Sequence, residues 1–95
     1  MARLTDDEVR AALGHGLDAW SFDGTTIRRE FTLKGFTSAV AFVERMVEPA
    51  NAARHHPDLE IHYNRVVVGL STHDEGGVTD KDIAMARTIE ALAGV

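Results

Sequence analysis

The spacing of apolar residues constrains this chain most, because it switches along the sequence between the period of a helix and that of a strand. From Phe36 onward Ala39, Val40, Phe42, Val43, Met46, Val47 and Ala50 recur at helical spacing, which predicts a long helix near residues 37–53. On either side the period falls to two. Upstream, Ile27, Arg29, Phe31 and Leu33 alternate after an Asp23-Gly24 turn that separates them from Trp20 and Phe22, and the pattern reads as a hairpin. Downstream, Leu59, Ile61 and Tyr63 alternate with Asp58, Glu60 and His62, and after Asn64 the β-branched run RVVVGLSTH suits a second hairpin.

Two helix starts bracket this pattern. Thr5 and Glu8 form a capping box with Leu4 and Val9 as its staple, and Val9, Ala12 and Leu13 continue at helical spacing to Gly14 and Gly16, predicting a helix near residues 6–14. Val78, Thr79, Asp82 and Ile83 repeat the device and open a closing helix near 80–93. The resulting order α-β-β-α-β-β-α, with hairpins in place of parallel crossovers, predicts an α+β fold: a four-stranded antiparallel sheet with three helices on one face. Pro49 lies inside the long helix and predicts a kink there. The apolar arc of that helix spans roughly 160°, wider than the ~100° stripe one core contact needs, so part of it is expected to meet another subunit, as a homodimer or homotetramer.

A chain of 95 residues with 44% hydrophobic content fits a single domain over 1–95. It has no cysteine, which removes disulfides and thiolate metal sites. A formal charge of −5, with ten scattered Lys and Arg, opposes a nucleic-acid backbone as partner. The N-terminal MARLTDDEVR has no apolar signal core and no apolar run is long enough to span a bilayer, so a soluble cytoplasmic protein without membrane contact is expected. A neutral small molecule or another protein is the partner this composition favours.

The five histidines are the candidate chemistry. His15 falls at the end of the first helix, where a cation suits the dipole, and His62 alternates onto the polar face with Asp58 and Glu60. His55, His56 and His73 stand at element ends that the second hairpin can bring together. Adjacent histidines seldom aim both rings at one ion and no H-x-x-x-H accompanies them, so no metal is expected. Ser71 and Thr72 lack the strained elbow of a hydrolase nucleophile. Acid and base catalysis needs only imidazoles that titrate near neutrality within reach of the exchanging protons. The residues alone leave that chemistry and plain capping or surface histidines both open.

The segment RHHPDLEIHYNRVVVGLSTHDEGGVTDKDIAMARTIEAL resembles the pterin-4a-carbinolamine dehydratases, whose pattern carries His-His-Pro, an aromatic six residues after the proline, a later Thr-His, and an Asp opening the last helix. Here these are His55, His56, Pro57, Tyr63, Thr72, His73 and Asp82. Upstream, Trp20, Ile27, Phe31, Leu33, Phe36 and Phe42 look like the family's apolar frame. The similarity implies dehydration of a 4a-hydroxytetrahydropterin to the quinonoid dihydropterin, without cofactor or metal. It implies His55 and His73 as acid and base, His56 as a positioning group, and Tyr63, Thr72, Asp74 and Asp82 as substrate-binding residues. Asp82 also reads as the capping acid of the last helix. The chain departs from the pattern at Asn51, where the family usually has an ionisable residue, commonly Glu. One helical turn is expected to set Asn51 beside His55, able to hydrogen-bond but not to supply charge; Glu48, a further turn away next to Pro49, is only a candidate substitute. Dehydratase-like proteins that assist assembly of other proteins, including Rubisco, or bind transcription factors imply the competing reading, a non-catalytic interaction module.

Overall fold

The structure, a computed structural model, describes residues 2–94. Helix α1 (Asp6–Leu13) opens on the expected box: Thr5 Oγ1 accepts the Glu8 N–H at 3.1 Å, and Glu8 Oε1 accepts the Thr5 N–H at 2.8 Å. Strands β1 (Ser21–Phe22) and β2 (Ile27–Thr32) form the first hairpin. Asp23 turns the chain by accepting the backbone N–H groups of Thr25 at 2.9 Å and Thr26 at 2.8 Å. Those two donors favour the ionised form and hold the Asp23 carboxyl below its usual range.

The long helix is present but interrupted, as α2 (Phe36–Arg45) and α3 (Val47–Ala53). The break falls at Met46, one turn before the expected kink at Pro49. Pro49 has no N–H for the Arg45 carbonyl and its ring crowds that carbonyl, so the chain loosens upstream of the proline. The Met46 N–H turns back to the Val43 carbonyl at 3.0 Å, and Pro49 sits in the first turn of α3, where a missing donor is harmless.

Strands β3 (Asp58–His62) and β4 (Arg65–Leu70) complete an antiparallel sheet of order β1-β2-β4-β3. A short 3-10 turn (His73–Glu75) then leads to α4 (Asp80–Ala93). Ile27 and Phe31 of β2 and Val66, Val68 and Leu70 of β4 are buried on one face, and the helices lie there. Phe42 of α2 is fully buried and meets the Phe31 ring edge-on at 4.9 Å between centroids. The four-stranded antiparallel sheet and the α-β-β-α-β-β-α order thus match the periodicity of the sequence.

The two ends of the β3–β4 hairpin differ. At the Asp58–Gly69 end the close of α3, the exit of β4 and the start of α4 converge. At the other, His62 pairs with Arg65 around the turn residues Tyr63 and Asn64, and Tyr63 adopts the left-handed conformation with φ 54°.

Candidate active site

Three local devices build the site at the convergent end. Arg54 closes α3 in the left-handed conformation (φ 53°), and the His55 N–H reaches back to the Ala50 carbonyl at 3.1 Å. This turn aims His55 at α4. After β4, Thr72 pairs with Gly77 across a tight loop: the Thr72 N–H donates to the Gly77 carbonyl at 2.8 Å, and Gly76 turns the chain with φ 70°. The capping box of α4 supplies the third, with Asp82 Oδ2 accepting the Thr79 N–H at 2.9 Å.

Asp82 is the centre of the network. Its side chain is fully buried, yet it remains satisfied: Oδ2 also accepts the Thr72 hydroxyl at 2.8 Å, and Oδ1 pairs with His55 Nε2. The Thr72 and Thr79 hydroxyls lie 2.8 Å apart and close the cluster. A buried carboxylate is tolerated only when its oxygens are met in this way. Because a carboxylate accepts, the Asp82 contact places the His55 proton on Nε2 and leaves Nδ1 as the ring nitrogen available for chemistry. The His55 side chain is itself only 11% exposed.

His55, His56, Thr72, His73 and Asp74 line one cleft of about 310 Å³, together with Arg54, Ser71 and Lys81. Sequence reasoning singled out the first five, weighed Ser71 only as a hydrolase nucleophile, and missed Arg54 and Lys81. Their adjacency to His55, Thr72 and Asp82 was the signal that could have found them. Asp82 stands behind the cleft, holding His55, and does not line it. Tyr63 is not brought there: it is 70% exposed, at the far turn of the hairpin, with its hydroxyl near Gly35. His62 pairs with Glu60 at 3.0 Å on the exposed face, and His15 is exposed just beyond α1, its carbonyl accepting from Arg87.

Asn51 corrects the expectation set for it. Its Oδ1 meets His56 Nε2 at 2.8 Å, not His55, because the left-handed turn at Arg54 carries His55 away toward Asp82. The acid that holds His55 therefore comes from α4, not from the preceding helical turn. No group of three His, Asp or Glu among the described residues is arranged around a metal ion. A larger cleft of about 550 Å³ between the β2–α2 connection and the end of α4, lined by Lys34, Ser38 and Arg45 among others, contains none of the histidines. No helix among the described residues is long and apolar enough to cross a membrane.

Comparison with known proteins identifies the family. The family model for pterin 4 alpha carbinolamine dehydratase matches residues 2–92. A Picosynechococcus protein named "Putative pterin-4-alpha-carbinolamine dehydratase" is 50% identical over 95% of this chain and 97% of its own length. One of the same name from Mycobacteroides abscessus is 46% identical over 99% of both chains. The crystal structure of a transcriptional coactivator/pterin dehydratase from Brucella melitensis superposes with a TM-score of 0.90 at 45% identity, covering 97% of this chain and 99% of that one. A pterin dehydratase-like RuBisCO assembly factor of the alpha-carboxysome shares the fold alone, at a TM-score of 0.69 and 19% identity over 80% of this chain and 90% of that one. With the model spanning nearly the whole sequence and close relatives matched end to end, the chain belongs to the pterin-4a-carbinolamine dehydratase family.

Proposed function

We propose that the histidine cleft dehydrates a 4a-hydroxytetrahydropterin to the quinonoid dihydropterin, the step that returns an oxidised tetrahydrobiopterin-type cofactor toward its reduced form. The observation that carries this reading is His55, fixed by a buried carboxylate in a cleft shared with His56 and His73. Dehydration requires one proton delivered to the C4a hydroxyl and one removed from N5. As the C4a–O bond breaks and water leaves, the electron pair released at N5 closes the C4a=N5 double bond. Two imidazoles that exchange protons near neutrality are sufficient, and the balance calls for no redox cofactor.

His55 and His73 are the acid–base pair in this reading, and His56, tied to α3 through Asn51, positions the substrate. Asp82 acts through His55: with Nε2 engaged, Nδ1 faces the reaction in one tautomer. Thr72 works the same way, donating its hydroxyl to Asp82; its own N–H and C=O are engaged by Gly77 and Glu75, so the backbone donors offered to the guanine-like edge of the pterin are the N–H groups of His73 and Asp74. Arg54 and Lys81 line the same cleft. A homo-oligomer is part of the reading, supported by the exposed apolar residues of α2, α3 and β3.

The test is turnover of a chemically generated carbinolamine by the wild type and by His55→Ala, His56→Ala and His73→Ala. Losing a proton-transfer group costs about 10²–10⁴-fold. The expected result is a loss in that range for His55→Ala and His73→Ala, and a smaller one for His56→Ala with weakened substrate binding. Wild-type turnover no faster than the spontaneous reaction would overturn the reading.

A further inference from the structure

The larger cleft differs from the histidine cleft in the kind of group that lines it. Its polar side chains are Thr32, Lys34, Ser38 and Arg45, and Leu33, Ala41 and Ala93 supply an apolar wall. Each of the four polar groups is a hydrogen-bond donor, two are cations, and no Asp or Glu is among the lining residues. Such a lining runs against the chain as a whole, whose 15 acids outnumber its ten Lys and Arg. The histidine cleft, by contrast, contains Asp74.

Local structure brings these donors together. Thr32 ends β2, and Lys34 follows it in the connection to α2. Ser38, Ala41 and Arg45 are spaced by three and then four residues, so they share one stripe of α2. The first turn of that helix, which carries Ser38, holds no acid and has no side-chain cap. Ala93 of α4 closes the cleft, and Arg45 Nη2 ties α4 to the stripe by donating to the Leu92 carbonyl at 3.2 Å.

A second arginine shows what Arg45 lacks. Both Arg29 and Arg45 have a buried Nε that finds no acceptor among the described residues. Arg29 compensates: its Nη1 pairs with Glu90, and its guanidinium carbon lies 4.1 Å from the centre of the Phe31 ring. For Arg45 no carboxylate among the described residues is a partner, and the Phe42 ring is 5.9 Å away, near the outer limit of about 6 Å for a cation–π contact. The side chains of Thr32, Lys34 and Ser38 likewise make no hydrogen bond or ion pair with the described residues. A half-buried guanidinium held by one carbonyl leaves most of its charge unmet, and the group that matches its planar fork is an oxyanion.

We propose that this cleft binds an organic anion: a phosphate or carboxylate group engages Lys34, Ser38 and the outer nitrogens of Arg45, and the body of the molecule packs on Leu33, Ala41 and Ala93. The volume of about 550 Å³ exceeds what a bare oxyanion fills and falls in the range of small-molecule sites, roughly 300–1,000 Å³. Thr32 pairs with Arg65 at the start of β4, whereas the histidine cleft opens at Ser71 and Thr72 beyond the end of that strand. Six residues of strand separate the two, about 20 Å. The site is therefore distinct from the histidine cleft and stands whether or not the chain is a dehydratase.

Phenyl phosphate carries both parts of such a ligand, and benzoate exchanges its phosphate for a carboxylate. Inorganic phosphate and phenol each carry one part. Titrated at low salt into isotope-labelled protein and followed by amide NMR, phenyl phosphate or benzoate should saturably shift the signals of Lys34, Ser38, Ala41 and Ala93. The tighter of the two identifies the anion class, and inorganic phosphate and phenol should bind more weakly than either. Lys34→Ala, at an exposed position, should weaken binding about fivefold, the upper worth of one exposed ion pair, and Lys34→Glu should weaken it further. Arg45→Lys keeps the charge but loses the fork and should cost about tenfold. Shifts that do not saturate, that centre instead on His73 and Asp74, or that persist undiminished in Lys34→Glu overturn the site. Phenol binding as tightly as phenyl phosphate overturns the role of the anion.

Discussion

The helix starts at Thr5 and Thr79 use the same device in two environments. In both, a threonine opens the helix and an acid three residues on reaches back to its N–H. At α1 the acid, Glu8, is exposed and caps the helix. At α4 the acid, Asp82, is fully buried and also binds Thr72 and His55. Solvent accounts for the difference. An exposed carboxylate has water for its spare lone pairs, whereas a buried one must find protein partners, and each partner it finds is held in place by it. A local stability element becomes a positioning element once the fold closes over it.

The largest effect should come from breaking the buried box without emptying it. Asp82→Asn keeps an amide oxygen for the Thr79 N–H and Thr72 hydroxyl but presents N–H donors to His55 Nε2, which favours the reversed tautomer and offers the wrong group to the substrate. Dehydration should fall by about 10²–10⁴-fold, the range for a lost or misassigned proton carrier. The melting temperature should move by only a few degrees. A collapse of stability in step with activity would show that Asp82 acts only as a cap.

At the exposed box the signs reverse. Thr5→Ala should cost about 1 kcal/mol, the usual value of an N-cap, which is about 4–8 °C in melting temperature for a domain of this size. Turnover per folded molecule should be unchanged, measured with the same carbinolamine assay at a temperature well below the transition.

The smallest effect sharpens the contrast between exposed and buried acids. The folded-state pKa of Asp23 is depressed by the Thr25 and Thr26 N–H groups, so its contribution to stability is present above the ordinary aspartate range and is lost as pH falls through the folded value. Comparing urea unfolding of the wild type and Asp23→Asn down to acid pH, the difference between them should shrink only below about pH 4. A difference that stays constant across that range would assign the turn's stability to the shape of the side chain and not to its charge.

Periodicity and capping, both local properties, were sufficient for the secondary structure. The change of period around Phe36–Ala50 predicts the hairpins and the helix between them, and the two threonine–acid boxes fall at the observed helix starts. The sheet follows because each hairpin has only one buried face to offer. Pro49 shows where locality ends: the residue disturbs the helix by what it does to the Arg45 carbonyl, so the break lies upstream at Met46.

Sequence spacing alone also places His55, His56 and His73 at element ends that share one cleft, while Thr72 enters through the family pattern. It does not decide which acid serves which imidazole. Asn51 is one turn from His55 by count, yet a single left-handed residue, Arg54, directs His55 to an aspartate 27 positions away and leaves Asn51 to His56. Nor does it set Tyr63 at the far end of the hairpin from the cleft, for a turn reverses the chain and converts sequence proximity into distance. Secondary structure is dictated by interactions within a few residues, which a sequence displays directly. Burial of Asp82, the choice of its partners and the bare edge of β3 depend on which surfaces the closed fold removes from water, and only the tertiary structure decides that.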